Sequence, residues 1–216
     1  AVIAQSNLTL KSSNITTSAL GGHGLYADGD GSILEAENCY VATAGASSAG
    51  LVAENGAALR FTGGTLSTEG IDSPCVLLGG GAALTLENAT LQTANSPLIA
   101  VLSGECTLDA SSQTLEGDCS IAEDAFLTLQ LHNNSSFTGT PGDELPARMS
   151  LSLDASSTWA LTGDVCLSVF TNGDATHQNI QSNGFSIYYD SNAPENEALD
   201  GQSFALPGGG FLTPII

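Results

Sequence analysis

Three acidic residues occupy corresponding turns of the chain and are its best candidates for metal chemistry. Asp28 and Asp30 flank a glycine, and Glu54 lies at the equivalent turn one repeat later. Carboxylate oxygens are the hard ligands that Ca²⁺ prefers, so the pattern predicts a Ca²⁺ site formed by Asp28, Asp30 and Glu54. The following turns carry Gly79 and Ser103 in place of acids, so a ladder of such sites is not expected. The alternative is a solvated turn that holds no cofactor.

Two other acids, Asp109 and Asp118, lie in one repeat and could act as a catalytic pair. Glycoside hydrolysis uses two carboxyl groups roughly 5–10 Å apart. However, no Asp-Asp pair and no repeated column of Asp accompanies them in the sequence. His23, His132 and His177 are isolated and lack the spacing of metal ligands, so we predict that they are surface or turn residues. The sequence therefore assigns no catalytic residue.

Five aromatic residues are candidates for stacking against sugar rings. Tyr and Trp combine an apolar ring face with a polar group, which suits a ligand that has apolar C–H faces and many hydroxyls. The candidates are Tyr26, Tyr40, Trp159, Tyr188 and Tyr189. The alternative is packing in a core or cap, and it is strongest for Trp159, which repeats the place of Phe137.

A repeat of about 25 residues must position these side chains. Apolar residues recur in columns with steps of 26, 25, 25 and 24 residues. Two columns share the first strand of each repeat: Leu8, Leu34, Leu59, Leu84, Leu108 and, two residues later, Leu10, Ala36, Phe61, Leu86, Ala110. The second strand gives Ile15, Val41, Leu66, Leu91, Leu115. The third gives Leu25, Leu51, Val76 and, after a shorter connection, Ile99. Because strand side chains alternate between faces, equal spacing stacks like residues in successive coils. The columns predict an all-β solenoid with three strands per coil.

The last part of the chain is less regular. Nine of the twelve aromatic residues follow residue 125. An open solenoid end exposes unpaired strand edges and apolar core, which a terminal cap covers. We therefore predict a single domain over residues 1–216, with regular coils over 1–125 and with irregular coils and an aromatic-rich C-terminal cap over 126–216.

Three stretches carry a resemblance to a known class. Residues 83–91 read Ala-Leu-Thr-Leu-Glu-Asn-Ala-Thr-Leu, residues 151–164 contain Ser-Thr-Trp-Ala-Leu-Thr-Gly-Asp, and residues 183–189 read Asn-Gly-Phe-Ser-Ile-Tyr-Tyr. The chain resembles the right-handed parallel β-helix (pectin-lyase-like) proteins, especially secreted or surface-anchored bacterial adhesins and autotransporter passenger domains. The resemblance implies a right-handed parallel β-helix at a bacterial surface.

The same resemblance raises the possibility of enzyme activity, because many proteins of this class cleave polysaccharides. Its lyases use a basic residue as base, with Ca²⁺ neutralising uronate carboxylates. Apart from Lys11, Arg60 is the one cation of the regular coils, and its outward column contains Glu35 and Asp109. A surface ion pair is the expected role of Arg60, since such pairs are common on exposed strands and weak.

Charge and cysteine content restrict the partners. The chain has 23 acidic residues against three basic ones and a formal net charge of −20. Phosphate binding requires clustered Lys or Arg, so nucleic acid and anionic membrane surfaces are excluded as expected partners. No apolar run reaches membrane-spanning length, and no membrane insertion is expected. The five cysteines are predicted to be buried small side chains, with a Cys106–Cys119 disulfide as the alternative.

Three functions remain as hypotheses. The first is a non-catalytic secreted or cell-surface protein that acts in adhesion or as a structural stalk and binds host or cell-wall glycans or a surface protein. The second is a polysaccharide lyase or hydrolase. The third is ice binding through the outward column Asn14, Tyr40, Thr65, Thr90, Thr114, although Tyr40 interrupts the row and threonine is favoured on any exposed strand.

Overall fold

The computed structural model describes residues 1–141 and 145–215 and shows a parallel β-solenoid. About nine coils stack on one another, about 24 residues apart, with three sheets stacking per coil. The predicted all-β class with three strands per coil is confirmed.

Two sheets run through most of the stack, and all of their strand pairs are parallel. The six-stranded sheet contains, in spatial order, β1 (Val2–Ala4), β4 (Leu25–Asp28), β7 (Leu51–Glu54), β10 (Val76–Leu78), β13 (Ile99–Val101) and β16 (Cys119–Ile121). The eight-stranded sheet contains β2 (Asn7–Lys11), β5 (Ile33–Glu37), β8 (Ala58–Thr62), β11 (Ala83–Glu87), β14 (Gly104–Ser111), β17 (Ala125–His132), β19 (Met149–Leu153) and β22 (Val169–Asn172). Regular pairing thus continues well beyond residue 125.

The third side of the stack is divided between two four-stranded parallel sheets. The first contains β3 (Asn14–Thr17), β6 (Tyr40–Thr43), β9 (Thr65–Thr68) and β12 (Thr90–Thr93). The second contains β15 (Thr114–Glu116), β18 (Ser136–Thr138), β20 (Thr158–Ala160) and β23 (Ile180–Gln181). In the described part of the chain, β12 and β15 are not hydrogen-bonded as neighbours, so this ladder is interrupted between the fourth and fifth coils.

The strand registers confirm the predicted columns except at that interruption. Leu84 pairs with Leu59 on one side and Leu108 on the other. Each is almost fully buried, because it faces the interior of the solenoid and packs against inward side chains of the other sheets and of neighbouring coils. The column from Ile15 to Leu91 also holds, but the predicted step from Leu91 to Leu115 falls where the ladder is broken.

The corner between the first and second strands of each coil adopts the left-handed backbone conformation. Asn and Gly enter this region at the lowest energetic cost, and stacking places the same conformation above itself from coil to coil. The corner residues with positive φ are Ser12, Asn38, Gly63, Asn88 and Ser112. The Asn, Ser and Gly residues at these corners therefore all allow the same left-handed turn of the backbone.

A ladder of serines joins the coils at a second corner. The backbone N–H of Ser48 donates to Oγ of Ser73 at 3.0 Å, and the N–H of Ser73 donates to Oγ of Ser96 at 2.7 Å. The hydroxyls in turn donate to carbonyl oxygens, as Ser73 does to Gly45 at 3.0 Å. Buried backbone groups need such partners, so these serines hold the loop backbones in register.

The C-terminal end is covered by a cap. A four-stranded sheet runs in the order β21 (Val165–Leu167), β24 (Ile187–Tyr189), β26 (Phe211–Pro214) and β25 (Phe204–Ala205), and its last pair is antiparallel. A 3-10 helix, Pro194–Leu199, lies against β22. Asn196 of this helix accepts from the N–H of Phe170 at 2.9 Å and donates to the carbonyl of Ser168 at 2.9 Å. The side-chain amide of Asn196 therefore makes hydrogen bonds to the edge strand of the eight-stranded sheet that the backbone of a further strand would otherwise make.

Aromatic rings fill the core beneath the cap. Trp159 stacks on Phe137 with ring centroids 6.0 Å apart, and Phe170 lies 6.5 Å from Trp159. His177 continues this cluster, 6.2 Å from Phe170 and 5.2 Å from Phe204. His177 lies in a turn, as one of the two predicted positions has it, but it is buried, so a surface position is wrong for this histidine. The predicted apolar columns end before this part of the chain, so the sequence did not show whether His177 faces inward or outward.

The cysteines are core residues. All five are buried, as predicted. Cys106 and Cys119, the pair considered for a disulfide, are both free thiols. Burial raises the pKa of Cys119 to about 12, with a smaller contribution from neighbouring Asp118, so this thiol stays protonated and unreactive at neutral pH.

Candidate functional site

The carboxylates at the predicted metal turn are engaged with protein donors. Asp28 accepts from the side-chain amides of Asn55 at 2.8 Å and Gln5 at 3.1 Å, and these bonds lower its pKa. Glu54, which pairs with Asp28 in register, accepts from the hydroxyl of Tyr26. That bond, more than burial, raises the pKa of Tyr26 to about 12. The turn is thus a network of hydrogen bonds between coils.

Asp30 lies over the turn of the next coil. A methyl group built on Gly56 would come within 3.3 Å of Oδ1 of Asp30. Within residues 1–141 and 145–215, no group of three or more His, Cys, Asp or Glu side chains is placed to hold a metal ion. The predicted set Asp28, Asp30 and Glu54 is not brought together as a ligand cluster.

Two of the five aromatic candidates are core residues. Trp159 is 1% exposed, and its indole N–H donates to the carbonyl of Gly139 at 2.9 Å. Tyr189 is 0% exposed, and its hydroxyl donates to the carbonyl of Gln202 at 2.8 Å. Their rings do not reach solvent, so they do not stack against sugars. Both follow the alternative interpretation of core or cap packing.

Two further candidates are half-buried. Tyr26 is held by Glu54 and lies 6.0 Å from the ring of His23. Tyr188 lines a groove of about 380 Å³ whose walls include the aliphatic side chains of Leu145 and Pro214. Within the described residues, the Tyr188 groove offers the hydroxyl of Thr213 but no row of hydroxyls.

Tyr40 is the aromatic candidate with an open ring and polar neighbours. It is 46% exposed on β6. Beside it lies a shallow depression of about 300 Å³, which we call the Tyr40 trough. The trough is lined by Thr16, Thr17, Ser18, Tyr40, Ala42, Thr43, Ala44, Ser67 and Glu69.

The trough follows from one small residue in an outward column. Thr16, Ala42 and Ser67 pair in register on three successive strands, and Gln92 follows in the next. Ala42 ends at its methyl group, whereas Tyr40 rises beside it on the same face of β6, because residues two apart in a strand point the same way. The dip at Ala42 is therefore bounded by taller side chains. In the sequence, Tyr40 belongs to the neighbouring outward column with Asn14 and Thr65, where it was interpreted as an interruption of a flat row.

The acids considered for catalysis lie on different sides of the stack. Asp109 is on the outer face of the eight-stranded sheet and contacts His132 at 2.8 Å. Asp118 precedes β16, where Oδ1 accepts from the N–H of Thr140 at 2.9 Å and the hydroxyl of Thr162 at 2.8 Å. The two are not brought together as a catalytic pair.

Asp118 has a different acidic neighbour, which the repeat pattern of the sequence did not indicate. Asp118 and Asp164 line one depression of about 440 Å³, together with Thr140 and Thr162. Asp164 occupies this corner two coils further along the stack. In the C-terminal part of the stack, successive coils are about 22 residues apart, so Asp118, Thr140 and Thr162 stack at one corner. Asp164, two residues after Thr162, therefore reaches the same depression as Asp118.

Within the part of the chain that the structure describes, Arg60 does not form the predicted ion pair with Glu35 or Asp109. Glu35 and Thr85 are its register partners, and Asp109 lies one coil further away. Among the described residues, Lys11 forms an ion pair with Glu37 at 2.7 Å, and Nε2 of His132 contacts Oδ1 of Asp109 at 2.8 Å. Asp109 is therefore engaged by the histidine of the following coil.

Comparisons with protein families, with characterised proteins and with solved structures returned no match to this chain. In the described part of the chain, no helix has the length and apolar character needed to cross a membrane.

Proposed function

We propose that this chain is a non-catalytic, secreted or cell-surface bacterial protein that acts in adhesion, with the coil stack as a structural stalk and with glycans as ligands. The proposal includes the finer assignment to the right-handed, pectin-lyase-like class and to its adhesins and autotransporter passengers. The observation that carries it is the Tyr40 trough: an exposed aromatic ring beside hydroxyl groups on a sheet fixed by neighbouring coils.

The scaffold supports this proposal because a solenoid presents long surfaces on which extended ligands can lie. The positions of Tyr40, Ala42 and Ser67 are set by parallel strand pairing on both sides of β6. A ligand therefore binds a preorganised surface, and little free energy is lost in ordering the protein on binding.

The test is incubation of the protein with a panel of immobilised and soluble polysaccharides, scoring retention and released product together. Retention without product is the expected result. Release of shorter saccharides would contradict the non-catalytic proposal. Failure to retain any polysaccharide, neutral or acidic, would contradict glycan adhesion.

A polysaccharide hydrolase is the second candidate, because Asp118 and Asp164 share one depression. Two carboxyl groups beside a cleft are the arrangement that glycoside hydrolysis uses. If product is released, Asp118→Asn and Asp164→Asn are expected to abolish it, with Asp109→Asn as the matched control on another face. Product formation unaffected by either substitution would remove this candidate.

A further inference from the structure

We propose that the Tyr40 trough is a subsite for an uncharged glycan whose chain runs along the axis of the stack, across β3, β6 and β9. This inference rests on the proposed function and names its ligand class and its location.

The direction of the ligand follows from the shape of the trough. Its floor is the column Thr16, Ala42 and Ser67, one residue from each of three successive strands. Neighbouring strands lie about 4.8 Å apart, so the column spans roughly 10 Å across the strands. That length accommodates about two linked sugar rings, with the lowest point at Ala42.

Tyr40 supplies the apolar contact. Its ring stands at the wall of the trough and is nearly half exposed. In contrast, the hydroxyl of Tyr26 is held by Glu54. Among the described residues, the hydroxyl of Tyr40 has no hydrogen-bond partner, so both its ring face and its hydroxyl can serve a ligand. A rigid aromatic side chain offers a large contact at low entropic cost.

The hydroxyls around the trough divide into two kinds. Thr17 and Thr43 donate to the carbonyls of Gly22 and Ser48, so they stabilise the loop. The side chains of Thr16, Ser18 and Ser67 have no hydrogen-bond partner within the described residues. Each of these three can donate one hydrogen bond and accept others. They match the alternating donors and acceptors that sugar hydroxyls present.

The negative charge in and around the Tyr40 trough favours an uncharged ligand. Glu69 is the one ionised side chain that lines the trough, and the whole chain carries a net charge of −20. A uronate, sialic acid or sulfate group would meet repulsion from Glu69 and from the surrounding field. A neutral hexopyranose is not repelled in this way, and the carboxylate of Glu69 can accept hydrogen bonds from the hydroxyls of the sugar.

The test measures binding of cellotetraose, mannotetraose and trigalacturonate to the intact chain by titration calorimetry and saturation-transfer NMR. We expect at least one neutral tetrasaccharide to bind, and trigalacturonate to bind at least tenfold more weakly. Tyr40→Ala should lower the affinity at least tenfold by removing the ring. Ala42→Leu should do the same by filling the floor while Tyr40 remains. Tyr188→Ala is the matched control and should leave the affinity unchanged.

The outcomes separate this inference from the proposed function. If the unmodified chain and both trough variants retain a neutral polysaccharide equally, the trough is not the subsite, although glycan adhesion stands. Tighter binding of trigalacturonate would overturn the ligand class. If the unmodified chain retains no glycan, both proposals fail. Circular dichroism of each variant confirms that the fold is intact, so a loss of affinity can be assigned to the trough.

Discussion

The side-chain amide of Gln113 hydrogen-bonds both backbone groups of Ala89 in the preceding coil. The N–H of Ala89 donates to Oε1 of Gln113 at 2.9 Å, and Nε2 of Gln113 donates to the carbonyl of Ala89 at 2.7 Å. Gln113 is 1% exposed. It lies where β12 and β15 fail to pair, so one side chain supplies the backbone-like contact across the interruption.

Replacing Gln113 by Leu should destabilise the chain by about 2–4 kcal/mol. The substitution leaves the N–H and carbonyl of Ala89 buried without partners, and each such group costs about 1–3 kcal/mol. Urea unfolding measures the change in the free energy of unfolding. Gln92→Leu is the matched control on the exposed face of β12 and should stay within about 0.5 kcal/mol. Equal effects of the two substitutions would show that the bridge contributes nothing.

Asn196→Ala should open the C-terminal end of the eight-stranded sheet. The amide of Asn196 is 2% exposed and bonds Phe170, Ser168 and Asp190. Its removal should cost about 2–4 kcal/mol, because buried backbone groups lose their partners. Hydrogen exchange should show faster exchange at the N–H of Phe170, and an exposed strand edge should increase aggregation. Glu195→Ala, an exposed neighbour in the same helix, should change neither.

Trp159→Ala should lower stability but not glycan binding. Removing a buried aromatic ring costs about 3–5 kcal/mol, and the carbonyl of Gly139 also loses its donor. Tyr40→Ala should have the reverse effect, with stability changed by less than about 0.5 kcal/mol and binding lost. Thermal unfolding and calorimetric titration of both variants test this separation. A stable Trp159→Ala variant with impaired binding would contradict it.

Stability should fall as the pH drops below about 6.5. Burial lowers the pKa of His23 and His177 from the ordinary value of 6.5. Their folded pKa therefore lies below the unfolded one, and in this window the unfolded chain binds more protons than the folded chain. The contribution of these residues is complete above pH 6.5 and is lost as the pH falls. Urea unfolding at about pH 7.5 and pH 5.5 measures it.

The double variant His23→Asn and His177→Asn provides the check on this window. It should show less change between the two pH values than the unmodified chain. An unchanged pH dependence in the double variant would mean that other groups cause the loss.

A second loss of stability should occur below about pH 4. Burial tends to raise the pKa of Asp154, but hydrogen bonds from Asn133, Ser157 and Ser156 outweigh it and lower the pKa to about 2. Because the folded pKa is depressed, the contribution is present above the unfolded value of 3.8 and is lost as the pH falls towards 2. Asp154→Asn should flatten this part of the dependence of the free energy of unfolding on pH, as measured by urea unfolding.

The repeat made most of the fold predictable. Leu59 and Leu84 recur at a fixed spacing in one strand position, and alternation of side chains then determines which residues face inward. The interruption at β12 and β15 was not predictable from the apolar column, because Leu115 has the expected type and nearly the expected spacing. A signal was nevertheless present: Gln113 stands at a corner where the earlier coils carry Cys39, Gly64 and Ala89.

The candidate site was predictable only in part. Tyr188 and Tyr189 are adjacent in one strand and must point to opposite faces, so at most one of them could face solvent. Without a repeat in the cap, nothing in the sequence established which one. Tyr40 lies in the regular coils, where its outward direction was predictable. The role proposed for it depends on the small side chain of Ala42 and on hydroxyls that have no partner among the described residues, and only the packed structure shows these features.

The interruption between β12 and β15 also has a mechanical consequence. Hydrogen bonds between parallel strands lie in the sheet and connect one coil to the next. A force that pulls the two ends of the stack apart therefore acts on every contact between neighbouring coils, each of which we call a joint. The joint between the fourth and fifth coils has strand pairing on two sides, at β11–β14 and β13–β16, and the Gln113 amide on the third. Under tension, we expect the rod to yield first at this joint, with the four N-terminal coils separating from the remainder as a unit.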